Sequence, residues 1–150
     1  MVRHGMSMEY KDIEIRALGR RISPTMSKVA CDKFEISIDK LGGEAPSPLD
    51  LMLASLIGCF NITATLVAND MGIEIEDATF EAVGKFNPSV FYGKEGQRAG
   101  YKEIKVLFRV KSNADDEKMR EFIKRVEERC PVSDNIANIT PLIVEVERIR

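Results

Sequence analysis

The sequence predicts an α+β fold in which a mostly antiparallel sheet accompanies one long, buried helix. Two observations predict it. Alternating and β-branched segments lie on both sides of one long stretch without charge, and a Gly- and Pro-rich turn separates that stretch from the first of them. A chain of 150 residues is a common size for one domain with one core, so we expect a single domain over 1–150.

The first predicted elements are antiparallel strands. Residues 9–22 and 26–39 mix alternation with β-branched residues, and Phe34, Ile36 and Ile38 fall on one face of a strand. We expect two or three strands here. The following LGGEAPSP is too rich in Gly and Pro for the interior of an element and indicates a loop or tight turn.

The central helix has a well-marked start. Ser47 is placed to be its N-cap, Pro48 its first residue, and Asp50 an acid in its first turn. From Leu51 to Ala68 there is no charge, and apolar residues occur on every side of a helical projection. We therefore expect a helix buried on all sides that ends within 69–72.

The same stretch is long enough for a membrane span, so that alternative has to be weighed. Its hydrophobicity is diluted by Ser55, Asn61, Thr63 and Thr65, and its flanks carry neither an aromatic belt nor a marked excess of Lys and Arg. We favour a helix enclosed by a sheet or by a second subunit, with no membrane partner.

The remaining elements follow from periodicity. Residues 78–86 and 101–110 predict a long β-hairpin. Residues 115–129 have acids first, bases later and an apolar stripe, which predicts an amphipathic surface helix. We expect a short helix over about 133–139 and a last strand over 141–149.

Charge and composition exclude several classes of function. The chain has 22 Lys and Arg against 24 Asp and Glu, so a nucleic-acid partner is not expected. The segment 1–12 lacks the apolar run of a signal peptide, which favours the cytoplasm, and His4 is expected to be disordered. The three cysteines are widely spaced and form no zinc motif, so no metal is expected.

Two interpretations of Cys59 remain open from the residues alone. A free cysteine in an apolar helix is commonly a small packed hydrophobe, and we expect this for Cys31, which lies in a strand pattern. For Cys59 the preceding Gly58 favours a functional site, because a helical glycine costs about 1 kcal/mol relative to Ala and marks close approach by another group.

Two motifs give a specific resemblance. The run GGEAPSPLDLMLASLIGC, which ends at Cys59, and the run CPVS, which begins at Cys130, are similar to the two cysteine-bearing segments of OsmC/Ohr proteins. Their order and context match, and element order agrees over nearly the whole chain. The resemblance implies an OsmC-like fold assembled as an intertwined homodimer.

The resemblance also implies a reaction. Cys59 would attack the O–O bond of a hydroperoxide and become a sulfenic acid, Cys130 would condense with it to a disulfide, and a dithiol reductant would restore both thiols. No cofactor is needed. The apolar residues around Cys59 favour an organic hydroperoxide over hydrogen peroxide.

The acid that the family uses near its reactive thiol is altered in this sequence. Many members have a Glu directly after the Pro at the helix start, where this chain has Leu49. Asp50 lies about 13.5 Å along the helix from Cys59 and on its opposite side, so it is better explained as a capping acid. This leaves Glu44 in the turn, or an acid of the partner subunit, as the candidate.

The arginine that the family uses is expected on the N-terminal strands. Arg16, Arg20 and Arg21 lie there, and we favour Arg20 or Arg21, although each also fits a solvated strand charge. The altered acid keeps a second function open, a dimeric redox sensor or apolar-ligand-binding protein that does not turn over peroxide.

Overall fold

The structure, a computed structural model, describes residues 9–150. His4 therefore lies outside the described residues. The chain forms two compact units, a first that ends at Pro48 and a second over Leu49–Arg150. A single domain over 1–150 stays a prediction.

The first unit contains a three-stranded antiparallel sheet. Its strands are β1 (Ala17–Arg21), β2 (Ser27–Cys31) and β3 (Phe34–Ile38), in that order across the sheet. This confirms the predicted antiparallel strands. The sheet presents apolar side chains to solvent, since Phe34 is 63% exposed.

The Gly-rich turn after β3 is organised by a buried carboxylate. Asp39 accepts the backbone N–H of Lys40 at 2.8 Å and that of Glu44 at 3.0 Å. The N–H of Glu44 first, then that of Lys40 and the side chain of Thr25, hold the pKa of Asp39 below its ordinary value. The turn therefore has a fixed shape where it leads into the helix.

The central helix, α1 (Pro48–Met71), begins at the predicted residue. Gly72 then ends it with a φ of +65°, a backbone conformation that favours glycine. The single chain does not bury α1 on all sides, so the expected enclosure by a second subunit stays a prediction. One face is buried, whereas Ile62 is 65% and Leu66 50% exposed on the other, because the chain supplies packing partners for one side only. The buried residues of α1 are Leu56, Phe60, Thr63, Ala64, Val67 and Ala68.

Length and apolar composition alone would allow α1 to cross a membrane. It is the one helix within residues 9–150 of which this is true, and the core helix of a soluble protein has the same properties. The rest of the chain buries 33% of its most apolar stretch.

A long antiparallel hairpin follows, as predicted. Its strands are β4 (Ile75–Phe86) and β5 (Tyr101–Ser112). Phe80 and Phe108 face each other across it with ring centroids 4.4 Å apart. The Tyr101 hydroxyl donates to the Leu49 carbonyl at 2.8 Å, which ties the hairpin to the first turn of α1.

Two further helices cover the core. The first, α2 (Asp116–Arg129), has Asp115 as its N-cap and buries Phe122 and Val126 against α1 and the hairpin, which confirms the predicted amphipathic helix. The second, α3 (Pro131–Ala137), begins about two residues before the predicted start, because Pro131 itself occupies its first position.

The predicted last strand over 141–149 is wrong for the described chain. No strand follows α3 in residues 138–150, and Leu142, Val144 and Val146 are 87%, 77% and 91% exposed. The alternating pattern is present, but a strand also needs a neighbouring edge to satisfy its N–H and C=O groups.

Candidate functional site: two thiols between α1 and α3

The two predicted cysteines meet in the second unit. Cys59 lies near the middle of α1 and is partly exposed, whereas Cys130, between α2 and α3, has no exposed surface. The Cys130 thiol donates to the Cys59 Sγ across 2.9 Å. Both cysteines are free, and a disulfide between them would need the sulfur atoms to approach to about 2.05 Å.

The helix junction holds Cys130 in place. Its backbone N–H donates to the Val126 carbonyl at 3.0 Å and closes the last turn of α2. Its own carbonyl accepts the N–H of Asp134 at 3.0 Å and opens α3. Between these bonds the residue is extended, because Pro131 disfavours a helical conformation in the residue before it. The chain therefore turns at Cys130 while its backbone hydrogen bonds are kept.

The environment keeps Cys130 protonated. Burial is the main cause that raises the pKa of its thiol above the ordinary value, and the hydrogen bond to Cys59 raises it further. The backbone N–H groups of Ser133 and Val132 act in the opposite direction without reversing the shift. Cys130 therefore remains a thiol at neutral pH, and its S–H is directed at the Cys59 sulfur.

Thr63 also contacts the Cys59 sulfur, and the sequence analysis did not single it out for this. Its hydroxyl oxygen lies 4.0 Å from the Cys59 Sγ, one helical turn further along α1. The spacing of four residues was available as a signal, because residues four apart share one face of a helix.

Arg129 is a second residue that the sequence analysis missed. It precedes Cys130 and forms an ion pair with Asp70, with Nη1 2.7 Å from Oδ2. Asp70 is about 16.5 Å along α1 from Cys59, so this pair joins the ends of α1 and α2 rather than acting on the Cys59 sulfur.

The grooves along α2 are separate from the thiols. The larger, of about 600 Å³, is lined by Met71 and by polar residues of α2, and neither cysteine lines it. In the part of the chain that the structure describes, no cluster of three or more His, Cys, Asp or Glu side chains could hold a metal ion.

A family model matches the part of the chain that contains both cysteines. The model described as OsmC-like protein matches residues 41–145, which include both cysteines and all elements from α1 to α3. The chain belongs to the OsmC-like protein family. The α+β architecture with antiparallel sheets and a long central helix is the fold that the resemblance implied.

Individual relatives of this OsmC-like chain are distant. The hydroperoxide reductase of Mycoplasma pneumoniae is 28% identical over 120 residues, which cover 77% of this chain and 81% of the relative. The hydroperoxide reductase of Mycoplasma genitalium is 29% identical over 110 residues, with coverages of 70% and 74%.

Solved structures share the fold. An OsmC-like protein from Mycoplasma pneumoniae gives a TM-score of 0.70 at 25% identity, with 86% of this chain and 89% of the other covered. The organic hydroperoxide resistance protein OhrB of Bacillus subtilis gives 0.58 at 21% identity, with coverages of 85% and 93%.

The other candidate site residues of this OsmC-like protein lie in the first unit. Arg20 pairs with Lys28 and Arg21 with Ser27 in the register of β1 and β2, and both arginines are exposed. Because neighbouring strand residues point to opposite faces, only one of the two arginines can face any given site. Glu44 is exposed and is held by its backbone N–H on Asp39. Their roles stay predictions.

Proposed function

We propose that the protein is a thiol-dependent hydroperoxide reductase in which Cys59 attacks the peroxide and Cys130 resolves the product. The 2.9 Å approach of the Cys130 thiol to the Cys59 sulfur carries the proposal, because it places a second thiol within reach of any sulfenic acid formed at Cys59. The names of the two Mycoplasma relatives support the same reaction class.

The unequal environments of the two thiols favour this division of roles. Cys59 is partly exposed and accepts a hydrogen bond, as a thiolate nucleophile requires. Cys130 is buried and its pKa is raised, so it is protected from peroxide and remains a thiol until Cys59 has been oxidised.

The proposed reaction balances over two steps. The Cys59 thiolate attacks one peroxide oxygen, an S–O bond forms, the O–O bond breaks, and the departing alkoxide takes a proton from solvent to become an alcohol. Cys130 then attacks the Cys59 sulfur, a disulfide forms and water leaves. A dithiol reduces the disulfide and is itself oxidised.

We propose organic hydroperoxides as the substrates. Exposed Ile62 lies one turn from Cys59 on the surface of α1, with partly buried Ile57 beside it. An apolar rim of this kind favours an alkyl or aryl group over a small polar peroxide. We place the reaction in the cytoplasm, with a homodimer as the functional form.

Leu49 favours one alternative, a redox sensor or apolar-ligand-binding protein without turnover. Its side chain replaces the acid that many OsmC/Ohr members have at the helix start, and its carbonyl is engaged by Tyr101. A sensor would oxidise once at Cys59 and then wait for reduction by another partner.

One assay separates the two functions. The protein is incubated with cumene hydroperoxide and excess dithiothreitol, and both reagents are followed. A reductase consumes one dithiol per peroxide over many turnovers, whereas a sensor consumes about one equivalent of peroxide and stops. Cys59→Ser should reduce turnover to the rate without protein, and Cys31→Ser is the matched control that should retain it.

A further inference from the structure

Thr63 is a buried hydroxyl in a helix that is otherwise apolar on its covered face. It is 4% exposed, and its neighbours on that face are Phe60, Ala64 and Val67. A hydroxyl removed from water without a partner costs free energy, so its position needs an explanation. The partner that the structure gives it is the Cys59 sulfur, at 4.0 Å.

Other hydroxyls of α1 are satisfied differently. Ser55 donates to the Met52 carbonyl at 2.8 Å, and Thr65 donates to the Asn61 carbonyl at 3.1 Å. Both are exposed and use the backbone of their own helix. Thr63 therefore differs in burial and in partner, since its hydroxyl faces a reactive atom.

We propose that Thr63 is a catalytic residue that donates its hydroxyl hydrogen to the Cys59 thiolate and so increases the population of the reactive form. This inference rests on the proposed role of Cys59 as the nucleophile. A hydroxyl is a stronger donor than a thiol, and hydrogen bonds to ionised acceptors are shorter than neutral ones. The O···S distance should therefore shorten when Cys59 loses its proton.

Thr63 can donate a hydrogen bond to Cys59 at the stages of the reaction when Cys130 cannot. Cys130 donates its S–H to Cys59 at first, but this donor is lost when Cys130 gives up its proton to attack the oxidised sulfur and again while the disulfide exists. Thr63 takes no part in the electron transfer and its proton stays on the hydroxyl oxygen. When a dithiol attacks the more exposed Cys59 sulfur, Cys130 leaves, and the second thiol of the reductant then displaces Cys59 as a thiolate that Thr63 is in position to stabilise.

The test isolates Cys59 as the single thiol. In a Cys31→Ser, Cys130→Ala background, the rate of alkylation by iodoacetamide is measured from pH 5 to pH 10, with no peroxide present. Thr63→Val is nearly isosteric and should lower the rate at pH 7 by about threefold, because a lost hydrogen bond disfavours the thiolate. At high pH, where thiols ionise regardless, the two rates should converge.

Matched variants exclude a general effect on the helix. Thr65→Val removes a hydroxyl two residues away that bonds only to the backbone, so its pH profile should coincide with that of the background. Thr63→Ser should restore the profile. If Thr63→Val does not fold, as judged by circular dichroism, Thr63→Ala replaces it in the same comparison.

Three outcomes overturn the inference: a Thr63→Val profile identical to the background, a rate lowered equally at all pH values, or an equal effect of Thr65→Val. The alkylation profile does not depend on peroxide turnover. An unchanged profile in a protein that reduces cumene hydroperoxide refutes Thr63 alone, whereas a shifted profile in a protein without turnover supports Thr63 and refutes the proposed reaction.

Discussion

At the scale of single residues, the pair of thiols is asymmetric. Cys130 has no exposed surface and a raised pKa, whereas Cys59 is partly exposed, accepts the Cys130 S–H and lies 4.0 Å from the Thr63 hydroxyl oxygen. In the proposed reaction, this asymmetry favours attack on the peroxide by Cys59 and keeps Cys130 protonated until it is needed. Because burial is the largest cause of the Cys130 shift, the shift should persist after Cys59 is oxidised.

The raised pKa of Cys130 predicts how disulfide formation depends on pH. Only the thiolate attacks, and below the pKa the thiolate fraction rises about tenfold for each pH unit. In a Cys31→Ser protein given one equivalent of cumene hydroperoxide, the rate at which the sulfenic acid disappears should therefore rise throughout pH 6 to 9. Stopped-flow measurement checks this. Cys130→Ser, which has no resolving thiol, provides the baseline. A rate that stops rising below pH 7 would contradict a raised pKa for Cys130.

At the scale of elements, caps and periodicity predicted most of the fold. Pro48 begins α1 and Asp115 caps α2, because local sequence determines how a helix starts. The Cys59–Cys130 pairing was predicted by resemblance and not by spacing, since the two residues lie 71 positions apart. The Asp70–Arg129 pair was not predicted, because it depends on how α1 and α2 meet. The last strand was wrong because a pattern does not supply its neighbouring edge.

Gly84 packs against the ring of Tyr101, the residue that ties the hairpin to α1, and this contact can be tested directly. A Cβ at this position would overlap the ring of Tyr101, whose hydroxyl bonds to Leu49 at the start of α1. Gly84→Ala should displace that ring and lower the free energy of unfolding by about 1–3 kcal/mol. Urea denaturation measures it.

Gly100→Ala is the matched control for Gly84→Ala. Its Cβ would meet only the Arg98 side chain, at 4.0 Å, so the free energy of unfolding should change by less than about 0.5 kcal/mol. Equal effects of the two substitutions would show that the Tyr101 contact does not hold the helix start.

At the scale of the whole molecule, the uncovered face of α1 needs a partner. Gly58, Ile62 and Leu66 are exposed at intervals of four residues, and a Cβ added at Gly58 would meet no atom within 4 Å apart from its chain neighbours and the adjacent backbone of α1 itself. A glycine inside a helix that nothing in the described chain approaches suggests close packing by another molecule. A second copy of the chain is the simplest candidate, because twofold dimers are the commonest oligomers.

A single substitution on the exposed face of α1 tests the predicted dimer. The protein should be a dimer by light scattering at micromolar concentration, and Leu66→Asp should make it monomeric, because a carboxylate cannot be buried there without a partner. Lys124→Asp, at an exposed position of α2, is the control that should remain dimeric. A wild-type monomer that is folded and reduces peroxide would refute the dimer and, with it, any residue supplied by a partner subunit.

The proposed two-cysteine reaction is tested most directly by mapping the products of one oxidation. The Cys31→Ser protein is treated with one equivalent of cumene hydroperoxide, digested without reductant and analysed by mass spectrometry. The proposed reaction should give one peptide pair joined by a Cys59–Cys130 disulfide, and, in Cys130→Ser treated with dimedone, a sulfenic acid adduct on Cys59. Oxidation that begins at Cys130, or a sulfenic acid at Cys59 that persists while Cys130 remains a free thiol, would contradict it.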